Sequence, residues 1–144
     1  MTKQLSPRQP RMSRRLLSHC HPPASISEYS QGQLRIRGNT TPRGVRVLAI
    51  VGELDLATAP LLELALDDSQ HASAVVADMS KVAFLGFAGV DVLIRAAARA
   101  DSRLRRFAVV ASTRPTQRAL SLTDAYDHVS CYARMDLAMR AVAE

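Results

Sequence analysis

The sequence predicts an α/β fold: a mixed, mostly parallel sheet of about five strands with about four helices packed on it. Three observations point there. Short apolar or alternating segments recur along the chain and are separated by segments of helical periodicity. The first two strand-like segments follow each other across a polar turn, which makes a hairpin rather than a crossover. The available core is aliphatic, since hydrophobic residues make up 47% of the 144 but aromatics only 4%, with no Trp. A chain of this length suits one domain with a substantial core.

Leu34 and Ile36 alternate with Arg35 and Arg37, the period-two mark of a half-buried strand. Gly38-Asn39-Thr40-Thr41-Pro42-Arg43-Gly44 supplies turn chemistry. Val45, Val47, Ala49 and Val51 then alternate with Arg46, Leu48 and Ile50, and the second half of that strand is apolar on both faces, as in a central strand. After Gly52-Glu53-Leu54-Asp55, Thr58 stands as an N-cap and Pro60 in the first turn of a helix carrying Leu61, Leu62, Leu64 and Ala65. Residues 74–77 are a buried parallel strand ending before Asp78. Val90, Leu93, Ile94, Ala97 and Ala98 form one stripe of a helix over about 89–99, with Asp91 and Arg95 spaced to pair. A strand over 104–111, a short helix bearing Leu120 and Leu122, a last strand over 129–132 and a terminal helix over 135–142 complete the order.

Residues 1–30 read as a basic, disordered tail and 31–144 as the folded domain. Lys3, Arg8, Arg11, Arg14 and Arg15 face one acid, Glu28, so most of the net charge of +6 belongs to the tail. Five cations without an interleaved aromatic make no specific nucleic-acid site. No run approaches the roughly 20 apolar residues of a membrane span, and the two leucines after Arg15 are too short for a secretory h-region. The expected location is the cytoplasm. Cys20 and Cys131 make no disulfide framework and are expected as two thiols. His19-Cys20-His21 lacks a fourth ligand at a sensible spacing, so no metal is expected. No nucleophile stands with a base, no acids pair at catalytic spacing and no Gly-rich loop cradles phosphate, so neither enzymatic activity nor a cofactor is expected.

Several local sequences in this order resemble the STAS domain of anti-sigma factor antagonists, over about 34–144. The Gly52-Glu53-Leu54-Asp55 quartet follows a Val-rich strand as the family's Gly-Glu-Leu/Ile-Asp turn does. The strand ending in Asp78, then Val82-Ala83-Phe84-Leu85, resembles the approach to the family's signature loop, and Gly89 with its apolar stripe resembles the signature helix. Phe107-Ala108-Val109-Val110, Ser112 to Pro115, and Leu120, Leu122 and Tyr126 resemble its closing strand and helix.

In that family the signature turn reads apolar-apolar-Asp-Ser-Ser/Thr-Gly-apolar, and the second hydroxyl accepts phosphate. Here Gly86 stands at the acid position, Phe87 at the first hydroxyl and Ala88 at the phosphoacceptor position. The resemblance implies a bacterial transcription regulator that binds an anti-sigma factor of the ATP-binding serine kinase type and so frees a sigma factor. It implies a contact surface of Glu53, Asp55, Leu85, Gly86, Phe87, Ala88, Gly89, Val90 and Asp91, without phosphorylation at Ala88. The alternative is a degenerate scaffold or sensor module that binds another STAS protein, itself, or a small ligand.

Side-chain roles within these turns have simpler readings as well. Phe87 is either a buried plug over Gly86 or an exposed anchor for a partner. Gly86 and Gly89 are read as serving backbone conformation, Glu53 and Asp55 as capping the following helix. Tyr126 and Tyr132 are read as core or rim packing, and Arg105-Arg106 as a solvated edge.

Overall fold

The computed structural model describes residues 13–16 and 26–143. Seven strands form one sheet in chain order: β1 (Ser13–Leu16), β2 (Ile26–Gln31), β3 (Leu34–Thr40), β4 (Val45–Leu54), β5 (Ala74–Leu85), β6 (Arg106–Val110) and β7 (Ser130–Tyr132). The pairings from β1 to β4 are antiparallel and those from β4 to β7 parallel, so the sheet is mixed in equal parts. Helices α1 (Ala59–Asp68), α2 (Phe87–Ser102), α3 (Arg114–Ser121) and α4 (Ala125–His128) lie between the parallel strands, and α5 (Met135–Val142) follows the last.

The expected count of about five strands and four helices is corrected at three places. β2 was not expected because its inward residues are Ser27 and Tyr29 rather than aliphatic ones. It joins β3 through a two-residue turn in which Gly32 takes φ +56°, as such hairpins require. β1 pairs with β2 from Ser13 to Leu16. The one-turn α4 is too short to show a period. The boundary expected at residue 30 therefore moves toward the N-terminus, since the segment at 26–30 belongs to the sheet. The rest of the basic tail, with His19, Cys20 and His21, lies outside the described residues.

The core has two layers, set by strand alternation. Leu48, Ile50 and Leu54 of β4 and Ala77, Met79, Val82 and Leu85 of β5 face α1 and α2, which bring Leu61, Leu62, Leu66, Val90 and Leu93. On the opposite face Val45, Ala74, Val76, Ala108 and Val110 meet Ala138 and Val142 of α5. One charge is buried with its partners: Arg46 is 7% exposed and donates to Thr40 Oγ1 (3.0 Å) and Ser27 Oγ. A Cβ on Gly38 would lie 2.6 Å from that guanidinium, so the glycine makes its room. Tyr29 donates to Asp68 Oδ2 at 2.7 Å. Burial and then this carboxylate push its phenol up to about 12.

Candidate partner-binding surface

The parallel pairing ends with Leu54 beside Leu85, so the turns that leave β4 and β5 lie side by side. The Gly86 N–H donates to the Leu54 carbonyl at 2.8 Å and ties one turn to the other. Within the first turn Asp55 Oδ1 accepts the N–H groups of Ala57 and Thr58, each at 2.9 Å. Those bonds, the one from Thr58 foremost, hold the Asp55 carboxyl below the usual carboxylate range. The Asp55 carbonyl then accepts from Ala59 as α1 opens. Thr58 stands at the N-cap, but its hydroxyl turns backward, donating to the Glu53 carbonyl and accepting the Asp55 N–H, both at 2.9 Å. The side-chain cap expected of Thr58 is thus absent, and the Asp55 carboxylate orders the turn ahead of the helix instead.

In the second turn the glycines act by close approach, which corrects the expectation of a special backbone conformation. Gly86 has φ −89° and ψ 174°, extended backbone that any residue adopts. A Cβ there would meet the Phe84 ring at 3.2 Å and the Leu54 carbonyl oxygen at 3.4 Å. A Cβ on Gly89 would lie 2.8 Å from Leu85 Cδ1 and 3.1 Å from Leu54 Cβ, so the first turn of α2 rests directly on the strand ends.

The nine residues of the expected surface separate into three groups. Leu85, Gly89 and Val90 are buried, and Gly86, Ala88 and Asp55 half-buried, with Ala88 packed on the main core. Glu53, Phe87 and Asp91 are exposed. Phe87 is 69% exposed, so it is no plug. Asp91 pairs with Arg95 at 2.9 Å, and Arg95 also reaches Glu63 of α1 at 2.8 Å.

Sequence reading missed the other half of this surface. Phe84 is 50% exposed and Leu122, beyond the end of α3, is 65% exposed. With Leu85, Gly86, Phe87, Pro115, Arg118 and Ala119 they line an apolar cavity of about 400 Å³ between the turn and α3. The available signal was the inward triad Thr116, Ala119 and Leu120 on α3, which leaves Leu122 off the core-facing stripe. Tyr126 sits at the rim of the fold, half-exposed, and Tyr132 packs against the smaller core layer. Cys131 is half-buried on β7, and burial pushes its thiol up to about 11. Among the described residues no three His, Cys, Asp or Glu side chains gather where a metal could sit, and no helix is long and apolar enough to cross a membrane.

Residues 38–138 match the STAS domain family. An anti-sigma-F factor antagonist of Mycobacterium tuberculosis, RsfB, is 38% identical over 81 residues, which are 55% of this chain and 66% of that protein, a little under two thirds of its length. The crystal structure of an anti-sigma factor antagonist from Mycobacterium paratuberculosis is 27% identical and superposes with a TM-score of 0.66, over 92% of this chain and 95% of the other. The anti-sigma factor antagonist SpoIIAA in its unphosphorylated form shares the fold alone, at 10% identity and a TM-score of 0.62, over 76% and 97%. The paired turns, the single mixed sheet and these likenesses make the chain a member of the STAS-domain family.

Proposed function

We propose that this protein is an anti-sigma factor antagonist that acts by protein contact through the surface formed by Phe84, Phe87 and the neighbouring turn at 53–58. Its partner is an anti-sigma factor of the ATP-binding serine kinase class, met in the cytoplasm, and the contact frees a sigma factor. The likeness to RsfB and to the M. paratuberculosis antagonist supports the role. The observation that carries the surface is Phe87, a large apolar side chain held 69% exposed on the first turn of a helix. Exposed aromatics beside an apolar cavity are the anatomy of a binding anchor. Ala88 has no oxygen to accept phosphate, so the contact lacks that switch.

Phe87→Asp tests the surface. It places a charge where the proposal needs a desolvated ring, and it removes nothing from the core. Titration against a panel of purified anti-sigma kinases is expected to show an affinity lowered at least about tenfold, with an unchanged circular dichroism spectrum. Unchanged affinity refutes the surface. An apolar cavity of this kind also suits a second copy of the chain, so light scattering of the isolated protein separates partner contact from self-association.

A further inference from the structure

The apolar cavity beside the second turn has a wall that the paired turns do not supply. Helix α3 is fixed on the core by Thr116, Ala119 and Leu120, all buried. The Gln117 side-chain amide donates to the Ala111 carbonyl at 2.9 Å and holds the helix to the segment just past β6. Beyond its last turn the Thr123 hydroxyl donates back to the Leu120 carbonyl at 3.1 Å. Leu122 thus projects from a helix anchored at both ends.

The cavity is a groove rather than an enclosed pocket. Buried Leu85 and Ala119 are its floor, while Phe84, Phe87 and Leu122 stand 50%, 69% and 65% exposed as its rims. Small-molecule sites bury most of their ligand's surface, and rims this open do not. Exposed apolar side chains gathered in this way suit the surface of another protein. The strand beneath offers that protein no backbone, since β5 is paired on both edges, with β4 and with β6. An extended segment laid here would leave its own N–H and C=O groups against apolar walls. A helix satisfies those groups internally and presents side chains alone.

The charge of the groove is one-sided. Of its eight lining residues only Arg118 is charged, so no acid offsets it. Arg114 lies one turn earlier on the same helix face, and α3 carries no acid. Glu53 and Asp55 belong to the other turn and are not among the walls. Asp91 is engaged by Arg95.

We propose that the groove between Phe87 and α3 receives an amphipathic helix of the anti-sigma factor. An apolar side chain of that helix sits between Phe84, Phe87 and Leu122, and a carboxylate about one turn away meets Arg118. This rests on the contact surface proposed above and adds the chemistry of its occupant. Arg118 then selects, among anti-sigma factors, those that carry an acid at that place.

The test titrates the full chain against the panel of purified anti-sigma kinases at low and high salt. Leu122→Asp is expected to weaken the tightest pair at least about tenfold, and Arg118→Glu at least about fivefold. Both positions are exposed, so both circular dichroism spectra are expected to stay unchanged. Arg118→Gln is expected to lose less affinity and to flatten the salt dependence. Arg106→Glu, an equal change of charge at the start of β6, is expected to bind as the parent chain does. Affinity lost with Phe87→Asp but kept in Leu122→Asp and Arg118→Glu leaves the contact surface standing and overturns the groove. Affinity lost with Leu122→Asp alone, or equally with Arg118→Glu and Arg106→Glu, overturns the carboxylate. A panel in which no kinase binds overturns both readings. A dimer of the isolated chain that Leu122→Asp dissociates assigns the groove to a second copy and overturns the proposal.

Discussion

Gly52 has φ +115°, and a Cβ built on it would lie 1.7 Å from the Gln33 carbonyl oxygen. That atom belongs to the paired backbone entering β3 and has nowhere to go. Gly52→Ala is therefore expected to destabilise the domain by more than about 3 kcal/mol, since conformation and contact are both wrong. Urea unfolding checks it, and a loss below about 1 kcal/mol refutes the close approach. At the same scale, the residue at 88 has one chemical consequence that needs no structure. Incubation with an anti-sigma kinase and ATP is expected to leave residues 84–91 unmodified by mass spectrometry, and phosphate there overturns the reading. The identities Gly86, Phe87 and Ala88 were legible in the chain. The exposure of Phe87 was not, because it depends on whether Gly86 leaves a hole, and the Phe84 ring fills that space.

Among the elements, α1 and α2 show which contacts matter. Arg95 reaches Glu63, Arg99 reaches Asp67 and Arg103 reaches Gln70, a ladder along the two helices. These are surface contacts, each worth at most about 1 kcal/mol. The buried Leu61, Leu62, Leu66, Val90 and Leu93 beneath them contribute more, at about 1.5–3 kcal/mol per side chain. The end of α2 carries a defect. Its last turn closes as a Schellman motif, with Leu104 where glycine is usual. Leu104→Gly removes a left-handed strain of about 1 kcal/mol and loses no packing. A melting temperature raised by a few degrees is expected, and a lowered one refutes the strain. Helix stripes and strand alternation were legible because each is a local period. β2 was not, since Ser27 and Tyr29 are inward only because Arg46 and Asp68 arrive from elsewhere to satisfy them.

For the molecule as a whole, the buried Tyr29 hydroxyl and the half-buried Cys131 thiol are expected to weaken the fold at alkaline pH. Tyr29 is raised from 10.0 to about 12 and Cys131 from 9.0 to about 11, by burial first in each case. The folded state holds both protons more tightly than the unfolded chain does. Their stabilisation is whole below pH 9 and is lost as pH rises through 9 to about 12. Unfolding free energy is expected to fall across that window, and Tyr29→Phe to flatten the part above pH 10. An unchanged profile in that variant refutes the assignment. Read alone, the chain yields the alternating α/β order, the motifs at 52–55 and 82–89 and the lack of a side-chain hydroxyl at Ala88, because periodicity and side-chain chemistry are local. Packing in three dimensions brings Phe84, Phe87 and Leu122 to one cavity and leaves all three exposed. Those facts depend on strand register and on which residues fill the neighbouring space, and both are settled by long-range packing.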